Sequence, residues 1–466
     1  MEDIKLGRPN ILFLFTDDQR FDTIKALGNE QIKTPNLDRL VASVTTFEHA
    51  YIMGGTDVAV CMPSRAMLLT GRTLFHLAES GKYIPEDQVL LGEALQAAGY
   101  YCWGAGKWHN GHESYARSFN DGADVYFGGM YDHWNVPVHE FDPSGKYDGR
   151  ITKTAYFRPS NEIEEKIATH VNSGRHSREL FAEQASSFIE SYTGSQPFFA
   201  YVAFMAPHDP RTMPQEFLDL YNPDDIQIPS NFMENHPFDN GQLTVRDELL
   251  SSIPRRTDEI KQHIAEYYAM ISHIDAEVGK IILSLEKSGK LDNTMIVFAG
   301  DNGLALGRHG LMGKQNLYDH SIHVPLIISG PGVPKSKIST YPTYTVDVYP
   351  TICELAGAEI PQTVLGRSLV AEIRGDPMPR RDYLYFAYRD LMRSVQADQW
   401  KLIEYSLGNV RHSQLFNIET DPMETDDLSC SNDHRDILAD LRRKLVEARQ
   451  EFGDDIAPFN SYWDGF

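Results

Sequence analysis

Short apolar runs recur along the chain with longer amphipathic stretches between them. Asn10–Thr16 (NILFLFT), Tyr100–Ala105, Phe198–Phe204, Met295–Ala299 and Pro325–Ser329 are of strand length and almost continuously apolar, which predicts strands buried on both faces. Apolar positions at helical spacing predict helices near Thr34–Ala42, Pro63–Thr70, Val89–Ala98, Arg178–Ser191, Thr257–Lys287 and Asp347–Leu355. Strands alternating with helices imply a large, mostly parallel sheet covered by helices on both faces, with ligands beyond the carboxyl ends of the strands. After about Gly375 the pattern changes. Tyr383–Tyr388, Met392–Gln396, Lys401–Tyr405 and Gln414–Asn417 read as short strands with tight connections, followed by a helix over Arg435–Glu451. The expected organisation is therefore an α/β unit over 1–375 and a small antiparallel α+β unit over 376–466. Asp121–Arg175 and Pro210–Arg256 carry many Gly, Pro, Asn and aromatic residues with weak periodicity, and are expected to be loops that shape a pocket or simply cover the sheet.

Length and composition bound this picture. A chain of 466 residues with 41% apolar and 11% aromatic residues buries roughly three-quarters of its unfolded surface. It needs no disulfide staples, and intrinsic disorder is excluded as its main state. With 43 Lys+Arg against 66 Asp+Glu the formal charge is −23, which argues against a nucleic-acid partner or an anionic membrane. A few cations in one pocket still suffice to bind an anionic ester. Cys61, Cys102, Cys353 and Cys430 show neither metal-ligand nor secreted-scaffold spacing. No run approaches the roughly 20 apolar residues of a membrane span. Met1–Leu6 lacks the apolar core of a secretory signal, so the chain reads as cytoplasmic as written, and as periplasmic or secreted if a leader was removed.

Three places carry candidate chemistry. Thr16-Asp17-Asp18-Gln19 follows the first strand, and adjacent carboxylates there suit either a hard cation or a helix cap and solvated turn. Gly300-Asp301-Asn302-Gly303 follows a second core strand; alone it reads as a turn, but two oxygen clusters at one sheet edge favour a metal. Cys61-Met62-Pro63-Ser64-Arg65 opens a helix with Pro63 in its first turn and Gly71 near its end. A Cys at that position faces free backbone donors, and Arg65 lies within one turn.

The run from Cys61 through Leu69-Thr70-Gly71-Arg72 resembles the activation motif of the type I sulfatases, within the alkaline phosphatase superfamily. Further matches follow in the family's order: Asp17-Asp18, Thr34-Pro35-Asn36-Leu37, Gly106-Lys107-Trp108-His109, Pro207-His208, Asp301-Asn302-Gly303, Gly313-Lys314 and Asp347, Tyr349-Pro350-Thr351. The resemblance implies an alkaline phosphatase-like fold and oxidation of Cys61 to formylglycine by a separate maturating enzyme. It implies Asp17, Asp18, Asp301 and Asn302 as metal ligands, completed by the modified Cys61. The ion is then Ca²⁺, with Mg²⁺ as the other cation that oxygen donors suit. Arg65 would stabilise the hydrated aldehyde, Lys107 and Lys314 would bind sulfate, His109 would partner the diol and His208 would stand at the leaving oxygen. One diol oxygen attacks sulfur, and proton removal from the other lets sulfate leave by C–O cleavage, a discharge that a serine could not perform.

The sequence departs from the family at His323, where many relatives carry Arg, and Gln19 follows the Asp pair without a third acid. Substrate choice is expected from Arg211, Arg308, His309, His133, Trp134, Arg175 and His176, whose side chains suit an acidic glycan or else form surface salt bridges. The resulting expectation is a sulfatase acting on a sulfated saccharide or small molecule. Hydrolysis of phosphonate or phosphate esters, an aryl or choline ester substrate, and a glycan-binding protein without turnover are the alternatives.

Overall fold

The computed structural model describes residues 8–154 and 163–466. Its centre is an eight-stranded sheet in the order Lys337–Ser339, Thr45–Phe47, Leu326–Ser329, Thr294–Gly300, Asn10–Thr16, Phe198–Ala203, Tyr101–Lys107, Asp121–Tyr126. The strands from Thr294–Gly300 to Asp121–Tyr126 run parallel, while Leu326–Ser329 is antiparallel to both its neighbours. This is the mostly parallel α/β sheet that the apolar runs imply.

Alternation along the central strand explains its near-continuous hydrophobicity. Ile11, Phe13 and Phe15 enter one core, and Leu12 and Leu14 enter the other. The second core is closed by the helices Pro35–Ala42, Ser177–Ser191 and Thr257–Lys287 through Leu37, Phe181 and Ile274. The first is closed by Cys61–Thr70, Leu91–Ala97 and Val348–Ala356 through Leu68, Leu95 and Ile352. Burying each such side chain contributes about 1.5–3 kcal/mol, which offsets the entropy of fixing the layers.

A second sheet is built from the antiparallel strands Leu384–Tyr388, Met392–Ala397, Trp400–Leu407 and Val410–Asn417, with the helix Arg435–Glu451 against it. Its fifth strand is Gly54–Gly55, which pairs parallel with Ala387 and Tyr388. Gly54 has φ +96°, and a Cβ on it would lie 2.0 Å from the Ala387 carbonyl oxygen, so only glycine permits this junction. The first core runs on without a break into this sheet through Tyr385, Val395 and Leu402.

Two expectations for the loops change. Asp121–Tyr126 is an edge strand of the main sheet; its Asp-Gly-Ala start hides it from pattern reading. Arg150–Thr154 pairs antiparallel with Ile163–Ile167, and the residues between them lie outside the described ones. Pro210–Arg256 is mainly irregular, with short turns of helix at Gln215–Leu218, Pro223–Asp225 and Arg246–Leu250. Among the described residues no helix is long and apolar enough to cross a membrane.

Candidate active site

Four neighbouring parallel strands bring their carboxyl ends to one place. Asn10–Thr16 delivers Asp17 and Asp18, Thr294–Gly300 delivers Asp301 and Asn302, Tyr101–Lys107 ends at Lys107 and leads to His109, and Phe198–Ala203 leads to His208. Backbone bonds carry the register past the strand ends: Asp17 N–H donates to Ala206 O (3.1 Å) and Asp301 N–H donates to Thr16 O (3.1 Å). Asp18 (φ 65°) and His109 (φ 75°) hold left-handed backbone conformations that cost non-glycine residues energy, as functional sites often do.

The helix Cys61–Thr70 points its first residue at this edge. Cys61 is its first helical residue rather than lying just before it, and all ten residues are buried. One turn on, Arg65 Nε donates to Asp301 Oδ2 at 2.8 Å and Nη1 donates to the Lys107 carbonyl at 3.0 Å, with Phe15 beneath the guanidinium. Cys61 Sγ lies 3.5 Å from His109 Nδ1 and 3.7 Å from Lys107 Nζ. Lys107 is paired with Asp17 and Lys314 with Asp18. Asp18 N–H donates to Asp301 Oδ1 at 3.0 Å, and Asn302 Nδ2 donates to Asp18 Oδ1 at 2.7 Å. His208 Nε2 stands 3.8 Å from Asp18 Oδ2.

The donor set fits a hard divalent cation. Asp17, Cys61 and Asp301 place one donor atom each within 4.8 Å of one another. Asp17 Oδ1 and Asn302 Oδ1 are buried without a hydrogen-bond partner, an expensive state for oxygens unless something positive takes them up. The carboxyl pair also titrates apart. Burial and the charge of Asp17 push Asp301 up to about 7, whereas Lys107, His208, Arg65 and Lys314 outweigh burial and hold Asp17 well below the usual range. Burial pushes the Cys61 thiol up to about 11 despite the two lysines, so the unmodified thiol is a poor nucleophile here. His109 is held well below its ordinary value by burial first and then by Lys107 and Arg65, which leaves it neutral.

The residues singled out for substrate choice separate into two groups. Arg211 has Nη1 2.7 Å from His263 Nδ1 and an unpartnered Nε, and the half-buried Trp134 lies edge-on to His176. The others are occupied by the fold itself. Arg308 is buried against Asp22, and His309 is buried on Tyr318 with its Nε2 at the Met423 and Glu424 carbonyls. Arg175 is an exposed partner of Glu183, and His176 caps the helix Ser177–Ser191 while bonding the Thr212 carbonyl. His133 donates from Nε2 to the His208 carbonyl (3.0 Å), so it supports the site from behind. His323 stacks on Phe21 and bonds the Glu48 carbonyl, which is a structural placement. Sequence reasoning missed Tyr267, whose hydroxyl bonds the Asp18 carbonyl at 2.5 Å, and the turn Arg246–Glu248; neither stands in a recognisable local pattern.

Residues 9–358 match the family described as Sulfatase, and residues 307–451 match that described as N-sulphoglucosamine sulphohydrolase, C-terminal. The chain belongs to the sulfatase family. It is a sulfuric ester hydrolase built on the alkaline phosphatase-like fold.

Among its relatives is the N-acetylglucosamine-6-O-sulfatase of Bacteroides thetaiotaomicron, 24% identical over 96% of this chain and 87% of that one. The ulvan-active sulfatase of Formosa agariphila is 25% identical, with 98% and 84% covered. A structure solved in complex with its substrate D-glucosamine-2-N,6-O-disulfate superposes with a TM-score of 0.75 at 22% identity, covering 96% of this chain and 99% of that one. The phosphonate monoester hydrolase of Silicibacter pomeroyi shares the fold at a TM-score of 0.72 and 21% identity, with 97% of each chain covered.

Proposed function

We propose that the protein removes an O-sulfate from a saccharide, using formylglycine made from Cys61 and a bound Ca²⁺. One observation supports this reading: Asp17, Cys61 and Asp301 bring one donor atom each within 4.8 Å of one another, Asp18 and Asn302 are hydrogen-bonded into the same group, and Asp17 Oδ1 and Asn302 Oδ1 are buried without a partner. When present, the two groups supply a hydrated aldehyde as nucleophile and a Lewis acid for the sulfate oxygens.

The chain's own residues do the rest. Lys107 and Lys314, buried and paired with Asp17 and Asp18 respectively, neutralise the sulfate oxygens in a site that excludes water. Arg65 fixes Asp301 and keeps positive charge beside position 61. His109, neutral and within reach of position 61 through Nδ1, can take a proton there. His208 holds Nε2 3.8 Å from Asp18 Oδ2 and can give a proton to the departing sugar oxygen. Arg211 and Trp134 supply a cation and a ring for further groups of an acidic sugar. Two relatives named for a sulfated sugar or polysaccharide and the structure bound to D-glucosamine-2-N,6-O-disulfate support the saccharide class.

The test joins mass analysis of the Cys61 peptide with a screen of sulfated saccharides followed by chromatography. Conversion of Cys61 together with release of sulfate from at least one sugar is expected. Faster release of phosphate than sulfate from matched aryl esters would favour the phosphonate and phosphate ester reading instead.

A further inference from the structure

The irregular segment over 210–256 contributes one short turn, Arg246–Leu250, that touches the site from two directions without reaching its reacting atoms. Toward one side, Arg246 holds the Asp209 carboxylate with both nitrogens of its fork, Nη1 to Oδ1 at 3.0 Å and Nη2 to Oδ2. The same Oδ1 lies 3.3 Å from His208 Nδ1, and the Asp209 carbonyl oxygen lies 2.9 Å from that nitrogen. A carbonyl oxygen only accepts, so Nδ1 carries the hydrogen and the ring is turned with Nε2 toward Asp18. Burial would raise the Asp209 carboxyl, but the Arg246 hydrogen bond and the charges of His208 and Arg246 overcome it and hold it at about 2. The carboxylate is therefore ionised throughout the neutral range.

Toward the other side, Asp247 Oδ2 accepts from Gln315 Nε2 at 2.7 Å, and Gln315 Oε1 accepts from the Lys314 N–H at 3.0 Å. Glu248 spreads its carboxylate over the Met312 and Gly313 N–H groups, 2.8 Å each, and is itself paired with the buried Arg255. A Cβ on Gly313 would lie 2.9 Å from Asp247 Cβ, so the two loops are in direct contact. Three consecutive side chains thus fix the neighbour of His208 and the backbone that carries Lys314.

We infer that Arg246, Asp247 and Glu248 form a positioning turn that couples the proton donor at the leaving oxygen to the lysine that grips the sulfate: Arg246 acts through Asp209 on His208, and Asp247 and Glu248 act through Gln315 and the Met312–Gly313 amides on Lys314. The inference rests on the sulfate-ester reading of the same site. Misplacing a catalytic group by about 1 Å can cost on the order of 10²-fold, so a turn without substrate contact can still set the rate. Arg246 is 45% exposed at its side chain, which makes it replaceable without opening the core.

The test uses the full-length, Cys61-converted, calcium-loaded protein with phenyl sulfate and 4-nitrophenyl sulfate, whose leaving groups differ in their need for a proton. Arg246→Gln is expected to lower kcat for the phenyl ester at least tenfold more than for the nitrophenyl ester, with Tm unchanged and partial rescue in Arg246→Lys. Asp247→Asn is expected to weaken inhibition by inorganic sulfate about tenfold and to raise KM equally for both esters. His208→Ala is the reference. If it shows the ester discrimination and Arg246→Gln does not, the positioning role is overturned; if His208→Ala shows none, the reading of His208 fails and takes the Arg246 arm with it. The histidine NMR signal of the His208 Nδ1 proton gives a readout independent of turnover. It should broaden into solvent exchange in Arg246→Gln, and an unchanged signal also overturns the role.

Discussion

Two clusters of buried charge in this molecule, one beside the C-terminal sheet and one at the strand ends of the main sheet, are built to different rules. In the C-terminal sheet, Arg393 and Asp454 are fully buried and fully satisfied. The guanidinium donates to both Asp454 oxygens and to the carbonyls of Arg389, Met392 and Phe459, and Asp454 also accepts from Tyr385 and Trp463. At the strand ends of the main sheet, equally buried charges leave Asp17 Oδ1, Asn302 Oδ1, Ser64 Oγ and Arg65 Nη2 without hydrogen bonds. A closed network fixes one arrangement of the chain, whereas an open one keeps binding capacity for something else. Unmet demand, more than the density of charge, is what separates these two clusters.

The contrast can be broken first at the open cluster. Cys61→Ala should lower turnover on the order of 10³-fold or more while Tm stays near that of the parent, because one small buried atom is lost; steady-state rates with thermal melts check both. Lys314→Ala should cost about 10²–10³-fold in kcat, as expected for a charge that meets the transition state. A large fall in Tm with activity kept would place Lys314 in the closed class instead.

The closed cluster should respond in the opposite sense. Arg393→Ala strands the Asp454 carboxylate and should destabilise the protein by about 3–5 kcal/mol, read by chemical denaturation, with kcat per folded molecule unchanged. Calcium sharpens the comparison at the smallest scale. At one hundred times its dissociation constant it should stabilise the protein by about 2.7 kcal/mol, an increment abolished by chelator or by Asp301→Asn and untouched by Arg393→Ala.

Much of this was legible before any coordinates. Asn10–Thr16, Thr257–Lys287 and Arg435–Glu451 keep their expected limits because burial dictates nearly every position in the first, and amphipathic periodicity runs the length of the two helices. Thr45–Phe47, Gly54–Gly55 and Lys337–Ser339 were not legible, since two or three residues carry no period and are recruited by neighbours far away in sequence. The catalytic candidates could be read because the motifs that carry them resemble the family's in kind and order, even where, as at Lys314, the residue lies in a loop away from any strand or helix. Arg308 and His309 carried the same polar signal as a binding residue, yet Asp22 and Tyr318 had already claimed them. Arg246, which acts on His208 through Asp209, a residue 37 positions before it, left no local mark at all.

The strand Gly54–Gly55 ties the two halves together more tightly than a linker would. It lies only a few residues before Cys61, and its backbone is completed by Ala387 and Arg389, whose N–H groups donate to Met53 and Gly55 carbonyls at 2.9 Å. A polypeptide shortened to its first 375 residues would therefore lose hydrogen bonds a few residues from position 61, the proposed nucleophile, so the last fifth of the molecule helps to hold the backbone that leads to it.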